Sequence, residues 1–239
     1  MTRVRADRLT GPRPAWVTFD CYGTLIQWDE GLIAAMRSIL AHKPQSIDPD
    51  RFIAVYDQHE HALEQATPHR GFREVSGAAL GLAMRDFGVA SDENDATTLT
   101  AAISAMPPFP EVVATLGELK RAGFRLCIVS NTDDAIIAGN VAQLGGHIDR
   151  VVTAEQAVAY KPSHRIFEFA HRALAVTRDE VVHVCASPHL DLVATRELGI
   201  RDVWIDRETG RRPVDGYVPA ATLPSLKGLP ALFRAAGWM

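Results

Sequence analysis

The chain has 239 residues, enough for one large core or a core carrying a smaller inserted domain, and too few for two full independent domains. Apolar residues make up 47% and charged residues 23%, which excludes gross disorder, and 25 basic against 29 acidic residues leave a net charge of -4, which favours neither nucleic acid nor an anionic membrane; small molecules are the natural partners. No apolar run approaches the ~20 residues of a bilayer-spanning helix, and the three cysteines, Cys21, Cys127 and Cys185, odd in number and without a C-x-x-C pair, read as reduced packing residues of a cytoplasmic protein.

Residues 1–14 hold four arginines and two prolines but no apolar h-region, so they predict a flexible N-terminal arm, not a secretory signal. Trp16 to Ile26 follows, reading W-V-T-F-D-C-Y-G-T-L-I. Its apolar, β-branched start predicts a buried strand that delivers Asp20 to its C-terminal tip, where Gly23 and Thr24 turn the chain away. Ile26 to Gly31 reads as a loop. Asp48-Pro49 then supplies an N-cap and a first-turn proline for a helix of roughly four turns, with Phe52, Val55, Tyr56, His59 and Leu63 on one face. Further helical patterns run from Val75 to Phe87 and from Asn94 to Met106. Residues 31–106 therefore read as an all-helical insertion, and Pro107, Pro108 and Pro110 mark the return from it.

Beyond the prolines, strands alternate with helices. Helix Glu111 to Arg121 precedes strand Arg125 to Val129, which ends at Ser130-Asn131. Helix Asp133 to Leu144, strand Arg150 to Thr153, helix Ser163 to Leu174, strand Val181 to Ala186, helix His189 to Leu198 and strand Asp202 to Ile205 complete the pattern. Such alternation predicts βαβ units and a parallel sheet covered on both faces, an α/β fold whose core spans 15–30 and 107–239. Strand tips in such a sheet line one edge, so Asp20, Thr24, Ser130, Asn131, Ser187 and Asp191 can converge, with Lys161 reaching in from the loop after the short strand.

D-C-Y-G-T-L at 20 to 25, S-N at 130 and 131, Y-K-P at 160 to 162 and Asp191 in C-A-S-P-H-L-D together resemble the haloacid dehalogenase superfamily, over about residues 15 to 235. The resemblance implies a Rossmann-like core with an inserted all-helical cap. Tyr22 stands where phosphatases of this superfamily carry a second Asp, and Ser187 where a metal-binding Asp is common, so the chain is more similar to the metal-independent 2-haloacid dehalogenase branch. That branch implies no cofactor, a small carboxylate substrate and frequent homodimers.

In that branch Asp20 attacks C2 of the substrate, leaving an aspartyl ester that water hydrolyses. Lys161 holds Asp20 ionised, an attraction of about 4 kcal/mol at ~4 Å and an effective dielectric of ~20, before desolvation. Thr24 bonds the carboxylate, and Asp191 orients the water or Lys161. The amides of Cys21 and Tyr22, with Ser130 and Asn131, bind the substrate carboxylate. His189 takes over water positioning from the family's usual Asn, and Phe167 replaces a frequent Tyr.

The resemblance leaves the leaving group open. The dehalogenases carry a halide-receiving arginine on the first long cap helix, and the gapless register puts Asp57 there; Arg51, Arg70 or Arg73 are the substitutes. An Asp57 facing the cleft suits a cationic leaving group, as in azetidine-2-carboxylate hydrolase, whereas one facing solvent favours halide. A phosphatase using Mg²⁺ through Asp20 and Asp191, and an idle homologue serving as a binding module, are further alternatives. Cys21 lacks histidine and carboxylate partners for a thiol nucleophile. His59 and His61, flanking Glu60, read as a solvated face, His183 as a satisfied core residue, Trp28 as cap packing or site mouth, and Arg211 and Arg212 as surface.

Overall fold

The computed structural model describes residues 9–239. Six strands form one all-parallel sheet in the order β3-β2-β1-β4-β5-β6: β1 (Trp16–Phe19), β2 (Arg125–Ser130), β3 (Arg150–Thr153), β4 (Val181–Cys185), β5 (Arg201–Ile205) and β6 (Ala221–Leu223). β1 and β4 are buried throughout, which is why they read as near-continuous apolar runs. The order departs from β1 in both directions, so its tip sits at the switch point where open α/β sheets bind ligands. Phe19 lies beside Ile128 of β2 and Val184 of β4, so the residues just past these three strands meet at one edge.

Between β1 and β2 the chain forms α1 (Trp28–Leu40), α2 (Pro49–Glu64), α3 (Phe72–Asp86), α4 (Glu93–Ala105) and α5 (Val112–Arg121). The first four pack on one another as a helical cap. Beyond β2 come α6 (Asp134–Ala142), α7 (Ala154–Ala157), α8 (His164–Leu174), α9 (Val193–Leu198) and α10 (Leu229–Ala235). Asp133 ties core to cap, because its two carboxylate oxygens accept the first amides of α3, Phe72 at 2.7 Å and Arg73 at 2.8 Å.

Several expectations need correction. The stretch expected as a loop at Ile26 to Gly31 runs into α1, whose glycine concealed it. Gly31 lets Met106 pack close to α1, since a Cβ would stand 2.5 Å from Met106 Cγ and the methionine side chain would have to move. Asp48 does cap α2, accepting from Asp50 N at 3.0 Å, but the buried stripe is Phe52, Tyr56, Glu60 and Glu64; Val55, His59 and Leu63 are half-buried. Strict i+4 spacing turns two glutamates inward. Helix His189 to Leu198 begins instead as one wide turn over Pro188–Leu192 before α9, which places Asp191 off regular helix geometry. β6 and α10 were not expected; a three-residue edge strand between prolines carries no periodicity.

Of the arm expected to be flexible, residues 1–8 lie outside the described residues. Residues 9–14 are pinned: Leu9 is buried, Arg13 donates to Trp238 O at 2.9 Å and Ala122 O at 2.8 Å, and its guanidinium stacks over Phe124. All three cysteines are buried and unpaired. Among the described residues no helix is long and apolar enough to cross a membrane.

Candidate active site

Asp20 follows the last residue of β1, with its N–H still bonded to Val184 O at 3.0 Å. Gly23, at φ 80°, then turns the chain back through a conformation that favours glycine. That turn returns Thr24, whose Oγ1 donates to Asp20 Oδ2 at 2.6 Å and accepts the Ala186 N–H at 2.8 Å. The other oxygen, Oδ1, accepts Lys161 Nζ at 2.8 Å.

Asn131, at the tip of β2, fixes the lysine's backbone from both sides: Oδ1 accepts Lys161 N at 2.7 Å and Nδ2 donates to Lys161 O at 3.2 Å. The ammonium also donates to Asp191 Oδ1 at 2.8 Å, so it bridges two carboxylates while only 1% exposed. Behind it, His183 Nε2 lies 3.0 Å from Asp191 Oδ1 and Nδ1 lies 2.9 Å from Thr18 Oγ1. An ionised Asp191 only accepts, so the network assigns the ring proton to Nε2.

These groups share one buried charge system. Burial pushes the Asp20 carboxyl above its ordinary range, with Lys161 and Thr24 pulling against it. Burial opposes ionisation of Asp191 as well, yet Lys161 and the His183 ring hold that carboxyl below the usual range. Lys161 itself is raised despite burial, by Asp191 and Asp20, and stays charged. Asp20 is therefore a poorly solvated carboxylate fixed at both oxygens, which suits a nucleophile.

Above it lies a cavity of about 270 Å³, below the usual size for drug-like ligands and suited to a small substrate. Its lining includes Asp20, Tyr22, Ser130, Asn131 and Lys161, together with Ser187 and His189. Thr24, Cys21 and Asp191 are buried and are not part of its lining. Trp28 is, and packs against Tyr22 with ring centroids 5.1 Å apart; Tyr22 OH donates to Asn140 Oδ1 at 2.9 Å. Asp57, half-buried, lines the cavity. Arg51, Arg70 and Arg73 do not: Arg51 lies over Phe87, Arg70 pairs with Glu74 and Arg73 bonds Thr100.

The cavity lining also takes in residues that the sequence reading did not place there. His183, expected as a satisfied core residue, is fully buried with both ring nitrogens partnered, and one of those partners is Asp191. Glu60 and Glu64 line the cavity from α2, and their i, i+4 placement after Phe52 and Tyr56 was the available signal. Arg211, taken as surface, is exposed but reaches the cavity mouth, where it pairs with Asp29 at 2.7 Å. His61 also lines the cavity, whereas His59 pairs with Asp86. Phe167 packs edge-on against His183.

The donor set fits Mg²⁺ poorly. That ion needs octahedral oxygen ligation, whereas here an ammonium bridges the two carboxylates, Tyr22 is committed to Asn140, and Ser187 Oγ caps Leu190 N. His183, Cys185 and Asp191 bring ligand atoms within 4.8 Å of one another, but Asp191 Oδ1 already serves Lys161 and His183 there.

The chain is 29% identical over 231 residues to the (S)-2-haloacid dehalogenase of Pseudomonas sp. strain YL, covering 92% of this chain and 94% of that one. It is 27% identical over 220 residues to (S)-2-haloacid dehalogenase 1 of Pseudomonas sp. strain CBS-3, covering 90% and 94%. Its fold matches the L-2-haloacid dehalogenase of Xanthobacter autotrophicus with a TM-score of 0.80 at 21% identity, covering 93% of this chain and 99% of that one. Residues 15–199 match the haloacid dehalogenase-like hydrolase model, and the chain belongs to that family of hydrolases.

Proposed function

We propose that this hydrolase displaces a leaving group from the α-carbon of a small 2-substituted carboxylic acid through an ester on Asp20, with (S)-2-haloacids as a substrate class. The observation that carries the reading is Asp20, fixed by Lys161 and Thr24 at a strand tip, with Tyr22 instead of an acid two residues on. The relatives named (S)-2-haloacid dehalogenase, aligned over nine-tenths of the chain, support it.

Ser130 Oγ and Asn131 receive the substrate carboxylate beside Lys161. A carboxylate oxygen of Asp20 attacks C2 opposite the leaving group, and the C2–halogen bond breaks with its electron pair. Water then adds at Asp20 Cγ and frees a 2-hydroxy acid of inverted configuration. No step needs a metal.

A second reading, an amine as leaving group, is favoured by Asp57 lining the cavity, where it repels halide. The test incubates the protein, with and without EDTA, with 2-chloropropionate, azetidine-2-carboxylate and p-nitrophenyl phosphate. Release of chloride or ring-opened product, insensitive to EDTA, is expected. Phosphate release abolished by EDTA, with no turnover at carbon, contradicts the reading.

A further inference from the structure

Displacement at C2 leaves two buried acids of the cap without a task. Glu60 and Glu64 stand one turn apart on α2, 7% and 8% exposed, and both line the cavity. Among the described residues neither forms an ion pair: Tyr56 OH donates to Glu60, and Asn131 Nδ2 reaches the two carboxyl oxygens of Glu64 at 3.4 and 3.3 Å. Two adjacent buried carboxyls without a paired cation do not both ionise, so the pair keeps a proton. Burial pushes Glu60 up to about 8; burial, and then Glu60, push Glu64 well above the ordinary range.

The contacts of Glu64 fix where it stands. Asn131 Nδ2 also donates to Lys161 O at 3.2 Å, and Gln65 Nε2 donates to the same carbonyl at 3.3 Å, so the end of α2 is docked on the tip of β2 and the Lys161 loop. Ser130, the residue before Asn131, supplies a separate observation: its Oγ is fully buried and has no hydrogen-bond partner, and the residue lines the same cavity. A buried hydroxyl of that kind calls for an acceptor from a ligand. Glu64 and Ser130 thus flank Asn131, where the α-carbon reading puts the substrate carboxylate.

An ionised Glu64 opposes an anion at that place. Two like charges at ~4 Å and an effective dielectric of ~20 repel enough to weaken binding about 1000-fold. A Glu64 that carries its proton reverses the sign, because its O–H becomes a donor to the incoming carboxylate.

We propose that Glu64, supported by Glu60, binds the substrate carboxylate through its own O–H together with Ser130 Oγ, so that the anion and one proton are taken up as a unit. This rests on the α-carbon reading above and names a cap residue that recognises the substrate. The proton stays on Glu64 while the anion is bound and is free to leave with the product. Of the groups facing Glu64, Lys161 stays charged between Asp20 and Asp191, and the Tyr160 phenol, raised by burial and then by Glu64, stays neutral. Asp57 and His61 on α2, His189 and Arg211 complete the charged and titratable lining, and a substitution at Glu64 separates them from it.

The experiment titrates wild type and Glu64→Gln with propionate, which has the carboxylate and no leaving group. Calorimetry between about pH 7 and 9.5, in buffers of different ionisation enthalpy, reads affinity and protons taken up, and chloride release from 2-chloropropionate is measured alongside. Wild type is expected to take up close to one proton per propionate at the alkaline end, its affinity falling there by about tenfold per pH unit. The Gln variant, whose amide donates without titrating, is expected to take up none and to bind propionate more tightly than wild type at about pH 9.5. Wild-type uptake needs no substitution, so a variant that fails to fold still leaves a decisive measurement. Binding without uptake, or uptake that persists in the Gln variant, overturns the proposal; chloride release then leaves the α-carbon reading standing. The expected uptake without chloride release contradicts the α-carbon reading alone. Wild type that neither binds propionate nor releases chloride overturns the two together.

Discussion

Lys161 Nζ lies 2.8 Å from Asp20 Oδ1, although 141 residues separate them. The same ammonium lies 2.8 Å from Asp191 Oδ1, and all three groups are buried. Removing the cation therefore leaves two carboxylates facing each other out of water. Breaking a buried pair costs about 3–5 kcal/mol. For Lys161→Met, with 1 kcal/mol shifting Tm by roughly 2–4 °C at this size, the melting temperature is expected to fall by roughly 6–20 °C at pH 7. Turnover is lost with it, and calorimetry with a halide-release assay reads both.

The pH–rate profile carries the sign of the Asp20 shift. Asp20 must be ionised to attack, and its carboxyl is raised by burial. Activity is therefore expected to fall on acidification at a pH above the ordinary carboxylate range. A kcat/KM profile still flat below pH 4 contradicts this.

Stability has a different pH dependence, set by Glu60. Its carboxyl titrates at about 8 in the fold against 4.5 for an ordinary glutamate. Between those values the native state holds a proton that the unfolded chain has released, so stability is lost as pH rises through the window. Glu60→Gln keeps an acceptor for Tyr56 and removes the titration. It is expected to match wild type at pH 4 and to exceed it by a few kcal/mol at pH 9 in urea unfolding.

His183 reaches Asp20 only through Asp191 and Lys161. A hydrogen bond to a charged group is worth about 1.5–3 kcal/mol, so His183→Leu is expected to lower kcat by about 10- to 100-fold with KM little changed. A change confined to KM contradicts a positioning role.

The surroundings of Asp20 were legible in the sequence because short motifs carry them. A strand ending at Asp20, a turn at Gly23 and hydroxyl or amide groups after later strands are local patterns, and a parallel sheet brings their tips together. The cap was less legible. Gly31 disguised α1, since its close approach to Met106 is a tertiary fact. On α2 the apolar stripe drew attention to Val55, His59 and Leu63, while the inward turn carried Glu60 and Glu64. Charged residues read as solvated until a structure shows them buried, so both acids were passed over. Asp57 was placed as solvent-facing or cleft-facing by helical geometry, and only packing put it on the cavity.

The central claim is that Asp20 forms a covalent ester, and oxygen labelling tests it most directly. The protein, in excess over 2-chloropropionate, completes one turnover in H₂¹⁸O, and mass spectrometry reads both the product and the peptide holding Asp20. The account predicts ¹⁸O in the Asp20 carboxylate and an unlabelled 2-hydroxy acid. Labelled product with an unlabelled Asp20 means that water attacks C2 itself, and contradicts it.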